Sequence, residues 1–261
     1  MQNFILHKNS KIYFSTKGKG ASVVFLHGFL ENSTMWNSVA DFLSKNNRII
    51  CIDLLGHGQT ECIGYVHSME NMADAVAAVL KHLRIRKSIV IGHSMGGYVA
   101  LAFAENNPKK VKGLCLMNST SSPDEEDRKI LRARANKMVQ TNFESMVRLS
   151  FANLFSEQSK TQFKKEMQLA LNEALQTPIQ GYIACQEGMR IRPNRIDVLI
   201  NSDFKKLLII GKKDPVLNYQ ELEEEAKETG SDSVTFEEGH MSHIENKTEL
   251  ISALKSFIKK C

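Results

Sequence analysis

A serine flanked by glycines, Gly92-His93-Ser94-Met95-Gly96, follows directly on the apolar run Ile89–Ile91 and precedes the helical stretch Gly97–Glu105. A strand that turns sharply into a helix exposes the side chain at its apex, and such a turn admits only very small residues two positions to either side. Gly92 and Gly96 supply them, and Ser94 is the apex. A serine hydroxyl is a weak nucleophile until a histidine takes its proton, and that histidine needs a carboxylate to fix its tautomer and stabilise its cation. An acid and then a histidine are therefore expected at later strand ends.

Asp214 fits the acid, because Gly211-Lys212-Lys213-Asp214-Pro215 follows the apolar run Leu207–Ile210 and so sits at the carboxyl end of a strand. Asp124 and Asp197 fall in a helical stretch and are weaker candidates. For the base, Gly239-His240-Met241-Ser242-His243 lies between the last strand and the last helix. His240 is favoured over His243, since a loop residue directly after glycine reaches across to the turn. The anionic intermediate needs preorganised backbone donors. One is expected at the N–H of Met95, at a helix N-terminus, and the other at Phe29 in the loop His27-Gly28-Phe29-Leu30, with Gly28 letting the backbone turn inward. His27 reads as a brace for that loop, and His57, in Asp53–Thr60, as a hydrogen-bonded turn histidine.

These residues need a scaffold. Short β-rich runs at Phe4–Leu6, Ile12–Ser15, Ser22–Leu26, Arg48–Asp53, Ser88–Gly92, Val111–Met117, Lys205–Gly211 and Asp232–Phe236 alternate with helical periods such as Met69, Met72, Val76, Val79, Leu83. Runs such as Ile49-Ile50-Cys51-Ile52 are apolar at every position, as strands covered on both faces require. The pattern stops at Ser122. From there to about Asp203 the periodicity predicts only helices, the first opened by Ser122-Pro123-Asp124-Glu125 in the form of a capping box. Asp124 with Arg128 and Glu125 with Lys129 have the spacing of ion pairs along that helix. Three more helices follow, around Phe143–Leu154, Phe163–Leu175 and Ile179–Met189. The expected organisation is an α/β core over 1–120 and 205–261 with a helical insertion over 121–204.

Composition bounds the partners. The chain has 261 residues, 42% hydrophobic and 24% charged, as expected of a compact globular protein. The net charge of +5 is spread along the chain with no basic run, which argues against nucleic acid. No apolar stretch is long enough to span a membrane, and the first residues lack a signal-peptide pattern. Five cysteines, Cys51, Cys62, Cys115, Cys185 and Cys261, show no C-x-x-C and suit a reducing cytoplasm. No metal is expected, because no His or Cys set has ligand spacing, and no glycine-rich loop has the form that cradles a nucleotide.

Taken together, the segments HGF at 27–29, DLLGHG at 53–58, GHSMGG at 92–97, GKKDP at 211–215 and GHMSHIE at 239–245 resemble the α/β-hydrolase superfamily over nearly the whole chain. The resemblance implies an eight-stranded, mostly parallel sheet with helices on both faces, a helical cap between strands six and seven, the triad Ser94, Asp214 and His240, and oxyanion donors at Phe29 and Met95. Ser94 argues against the dehalogenases and epoxide hydrolases of the superfamily, which place Asp there. Leu30 stands where perhydrolases commonly have Pro, and Tyr98 where the menaquinone-pathway synthases usually have Arg. His27-Gly28 stands where the pimeloyl-carrier-protein methyl esterases often have Trp-Gly. The leading expectation is a serine hydrolase for small to medium carboxylic esters, acting without a cofactor on a small-molecule substrate. The alternatives are a carbon–carbon bond hydrolase or lyase on the same triad, or a small-molecule sensor with little turnover.

Overall fold

Residues 3–261 are described by a computed structural model, in which each apolar run becomes a strand. The strands are β1 (Phe4–His7), β2 (Ser10–Lys17), β3 (Ala21–Leu26), β4 (Asn47–Ile52), β5 (Ser88–His93), β6 (Val111–Met117), β7 (Lys205–Gly211) and β8 (Asp232–Phe236). They form one sheet in the order β1-β2-β4-β3-β5-β6-β7-β8. β1 and β2 pair antiparallel to their neighbours, and every pairing from β4 to β8 is parallel. A parallel sheet needs a crossover after each strand. The helices are α1 (Asn37–Leu43), α2 (Met69–His82), α3 (Met95–Asn106), α4 (Glu126–Met138), α5 (Phe143–Ala152), α6 (Glu157–Gln162), α7 (Lys164–Ala174), α8 (Ile179–Arg190), α9 (Ile196–Ile200), α10 (Tyr219–Glu228), α11 (Ser242–Glu245) and α12 (Lys247–Lys260).

Alternate residues of each central strand face opposite layers. Val24 and Leu26 of β3 pack with Met72 and Val76 of α2 and Val99 and Phe103 of α3. Val23 and Phe25 pack with Val39 and Leu43 of α1 and Leu250, Leu254 and Phe257 of α12. A third cluster joins α5 to α8 over the carboxyl end of the sheet, through Val147, Phe151, Phe155 and Tyr182, and takes in Leu30 and Met241 from the loops below.

Between β6 and β7 the chain passes through six helices, α4 to α9, where the apolar periodicity reveals four. The two extra ones are α6, whose sequence EQSKTQ has no apolar repeat, and α9, whose five residues are too few to show a period. The expected helix start at Ser122 is also displaced: α4 begins at Glu126. The capping box does not form: Glu125 precedes α4, no side chain caps the helix, and Asp124 is buried with its carboxylate taken by Arg132 and Arg192. Lys129 pairs with Glu126 at 2.7 Å, not with Glu125, while Asp124 and Arg128 stand 3.8 Å apart. Among the described residues no helix is long and apolar enough to cross a membrane.

Candidate active site

Ser94 sits between the last residue of β5 and the first of α3 at φ 50° and ψ −116°, a conformation strained for any residue with a Cβ. The turn is tight enough that a Cβ on Gly92 would lie 2.2 Å from the Gly96 carbonyl oxygen, and one on Gly96 would lie 2.4 Å from that of Leu26. Glycine at both positions is a steric requirement. The turn is tied to the neighbouring strand by the Ser94 N–H, which donates to Met117 O at 2.9 Å. Ser119 Oγ donates to Ser94 O at 2.8 Å.

Asp214 follows β7, and His240 follows β8. The structure brings both to Ser94, with His240 Nδ1 2.7 Å from Asp214 Oδ2 and His240 Nε2 2.9 Å from Ser94 Oγ. Burial pushes the Asp214 carboxyl up, but the facing His240 and the donors Val216 N–H and Asn118 outweigh it, so the carboxyl lies below its usual range. An ionised Asp214 accepts, hence His240 Nδ1 carries the proton, and Nε2 is left with a lone pair that can accept from the Ser94 hydroxyl. His243, the other candidate base, lies elsewhere: its Nε2 is 3.8 Å from Glu31. Asp124 and Asp197 stay away from the serine, the former among arginines and the latter on α9.

The loop after β3 is held at three of its four amides. Gly28 N–H donates to Glu31 Oε2 at 2.6 Å, Leu30 N–H to His57 Nε2 at 3.1 Å, and Glu31 N–H to Gly28 O at 3.3 Å. Among the described residues the Phe29 and Met95 amides have no protein acceptor, and Phe29 lines the same cavity as Ser94 and His240. His27 braces the loop as its sequence position suggests, with Nδ1 donating to Gly28 O at 2.7 Å and Nε2 accepting from Leu54 N–H at 2.8 Å. His57 is the turn histidine of the next loop and holds Leu30.

Several supporting residues were missed by sequence reasoning. Asn118, directly after β6 and at φ 46°, donates to Asp214 Oδ2 at 3.2 Å and to Gly239 O at 3.1 Å, and accepts from Ser242 Oγ at 2.7 Å. Its place at a strand's carboxyl end was the available signal. Glu31 and His93 form a buried ion pair at 2.7 Å beneath His240, and His93 Nε2 donates to His240 O at 2.9 Å. Burial opposes the Glu31 charge, yet His93, His243 and His27 bring its pKa down to about 2. Burial likewise opposes the His93 cation, and Glu31 overrides it and raises the pKa. Glu31, His93 and His243 offer ligand atoms within 4.8 Å of one another, but the Glu31 hydrogen bond occupies the Nδ1 that His93 would offer a metal.

The cavity above Ser94 measures about 170 Å³ and is lined in part by residues of α4, α5 and α8, with Met189 and Leu154 among its apolar walls. Phe151 and Phe155 are not among the lining residues and pack on each other, with ring centroids 5.5 Å apart.

A family model described as alpha/beta hydrolase fold matches residues 21–247. Among solved structures, a thermophilic esterase from Thermogutta terrifontis superposes with a TM-score of 0.91 at 29% identity, over 96% of this chain and 94% of that one. An uncharacterized protein of Mycobacterium tuberculosis is 36% identical over 106 residues, 41% of this chain and 31% of its own length. The dihydrolipoyllysine-residue acetyltransferase component of the acetoin cleaving system of Cupriavidus necator is 27% identical over 253 residues, 95% of this chain and 66% of its own length. The chain therefore spans about a third of the first curated relative and about two thirds of the second.

Proposed function

The chain belongs to the alpha/beta hydrolase family, and from that premise we propose that it is a serine hydrolase of carboxylic esters with small to medium acyl groups. The observation that carries the reading is the hydrogen-bonded series from Ser94 Oγ through His240 to Asp214 beside a cavity of about 170 Å³. Ser94 Oγ attacks the ester carbonyl while His240 Nε2 takes its proton. Asp214 holds the imidazole in the Nδ1–H tautomer and stabilises the cation. The Phe29 and Met95 amides, free of protein acceptors, hold the oxyanion. His240 returns its proton to the leaving alcohol, and a water activated by the same nitrogen then hydrolyses the acyl-enzyme. No step calls for a cofactor.

In this reading residues 121–204 act as a cap on a core made of 1–120 and 205–261, and the small cavity beneath the cap limits acyl length. Five free cysteines suit a cytoplasmic setting.

The test compares hydrolysis of p-nitrophenyl acetate, butyrate and octanoate by the wild type and by Ser94→Ala. Turnover abolished by the substitution and falling from butyrate to octanoate is expected. Background rates in both proteins would retire the ester reading.

A further inference from the structure

Cleaving a neutral ester requires no charged pocket, yet the cavity that holds Ser94 and His240 is also walled by Arg128 and Arg132, and none of its lining residues is Asp or Glu. Asp124 lies behind the arginines, 4% exposed, bonded to Arg132 and to Arg192 Nη1 at 2.6 Å, with Arg128 Nε 3.8 Å away. Burial pushes the Asp124 carboxyl up, but Arg132 and Arg192 outweigh it and keep the carboxyl below the usual range. One carboxylate thus faces three guanidinium groups, and positive charge is left over beside the nucleophile.

The donors show where that surplus points. Arg192 is spent on structure: it binds Asp124, Met189 O at 3.0 Å and Ser122 O at 3.1 Å, and its guanidinium lies 3.9 Å over the Tyr98 ring. Arg132 uses Nε and one Nη2 hydrogen on Asp124 and one Nη1 hydrogen on Gln186 Oε1 at 2.6 Å, which leaves one N–H on each terminal nitrogen. Arg128 uses a single N–H, on Val216 O at 3.0 Å. The Arg132 side chain is only 11% exposed, so water does little to screen its charge. Ser150 and Asn153 line the same cavity and add polar groups. Arg128 and Arg132 also line a wider outer cleft of about 1110 Å³ that holds seven acids, Glu125, Asp127, Glu221 and Glu224 among them, but none of these acids lines the inner cavity.

We infer that the substrate is an ester that carries a carboxylate on its acyl or alcohol part, held by Arg128 and Arg132 while Ser94 attacks the ester carbonyl. A planar carboxylate matches the paired N–H groups of a guanidinium, and such bonds gain strength where water is scarce. The inference rests on the serine-hydrolase reading for its chemistry, and its binding half can be tested without turnover.

Rates are compared on p-nitrophenyl butyrate and mono-p-nitrophenyl glutarate, which differ chiefly in the terminal carboxylate. The wild type should prefer the anionic ester by at least about tenfold in kcat/KM, a difference of about 1.4 kcal/mol. That preference should shrink by about tenfold or more in Arg128→Gln, whose side chain is partly exposed and expendable for folding. Arg132→Lys keeps a charge next to Asp124 but loses the paired donors, and should also lower the preference. Calorimetric titration of Ser94→Ala with monomethyl glutarate and with methyl butyrate reads binding alone. Saturable binding of the monomethyl glutarate only, weakened about tenfold by adding Arg128→Gln, supports the subsite even if no ester is cleaved, in which case it is the hydrolase reading that fails. Equal binding of the two esters, or a rate preference that survives Arg128→Gln and Arg132→Lys, overturns the carboxylate subsite while leaving ester hydrolysis intact.

Discussion

Lowering the pH from 7 to 5 should cost this protein much of its stability, because several buried histidines are built to stay neutral. His27, His57 and His67 each use Nε2 to accept a backbone N–H, from Leu54 at 2.8 Å, Leu30 at 3.1 Å and Ile63 at 3.2 Å. All three are fully buried, and protonation would set N–H against N–H. Burial, reinforced by neighbouring His27, holds the His57 pKa down at about 3, and burial holds His67 and His243 at about 4. His27 is lowered for the same reason. An unfolded histidine titrates near 6.5. Between pH 6.5 and 4 the unfolded chain therefore takes up protons that the folded one refuses, and stability that is intact above 6.5 drains away as the pH falls. At pH 5 the loss relative to pH 7 is about 2 kcal/mol for each of His57, His67 and His243, or about 6 kcal/mol together. The His93 cation works the other way. Paired with Glu31, it adds stability that is fully present below 6.5 and lost as the pH rises through its raised folded pKa; because an unfolded histidine is itself mostly protonated below 6.5, this offset stays under about 1 kcal/mol over the interval. A net loss of about 5 kcal/mol is large against a typical total of roughly 5–15 kcal/mol. Urea unfolding at pH 7 and pH 5, followed by the buried single Trp36 and by circular dichroism, should show the midpoint falling with the slope unchanged. His67→Gln, whose amide oxygen accepts the same N–H without titrating, should remove about 2 kcal/mol of the dependence. A total loss below about 2 kcal/mol would refute the reasoning.

The remaining expectations concern the site and its turn. Asp214→Asn should lower kcat by about 10⁴-fold by reversing the His240 tautomer, and His240→Ala should match it within tenfold, whereas His243→Ala should keep activity within tenfold of the wild type. Steady-state kinetics on a short-chain ester separates these outcomes. Gly96→Ala would drive a Cβ to 2.4 Å from Leu26 O and 2.6 Å from His27 O, both backbone atoms that cannot swing aside. A destabilisation of about 3 kcal/mol and a fall in Tm of roughly 6–12 °C are expected by scanning calorimetry.

Most of the scaffold was legible because its signals are local. Ile49–Ile52 and Leu207–Ile210 are apolar at every position only because both faces of a parallel strand are covered. Ser94, Asp214 and His240 could be singled out because each follows a strand-like run, with glycine or proline within two residues. The helix start was placed too early, at Ser122, because nothing local shows that Asp124 is buried against Arg132 and Arg192, 8 and 68 residues further along the chain. The same holds for Glu31 and His93, 62 residues apart in sequence and 2.7 Å apart in space. Helix α6 escaped because its polar sequence leans on Ser156 as a cap, whose side chain accepts from Ser159 N–H, and not on an apolar stripe.

The residues that make the fold acid-sensitive also serve the proposed chemistry. In the loop 28–31, Leu30 sits at φ 64°, a conformation that costs a non-glycine residue on the order of 1 kcal/mol or more. It is retained because His57 accepts the Leu30 N–H and Glu31 accepts that of Gly28. With both neighbours tied down, the Phe29 amide between them has neither a protein acceptor nor freedom to turn away. Glu31 reaches further, through His93 to the carbonyl of His240, so one buried carboxylate positions both the proposed oxyanion donor and the proposed base. A neutral His57 and an ionised Glu31 are thus two halves of one requirement. The first fixes the donor against the strain of its own loop, and the second fixes its distance from the histidine that must act in the same step.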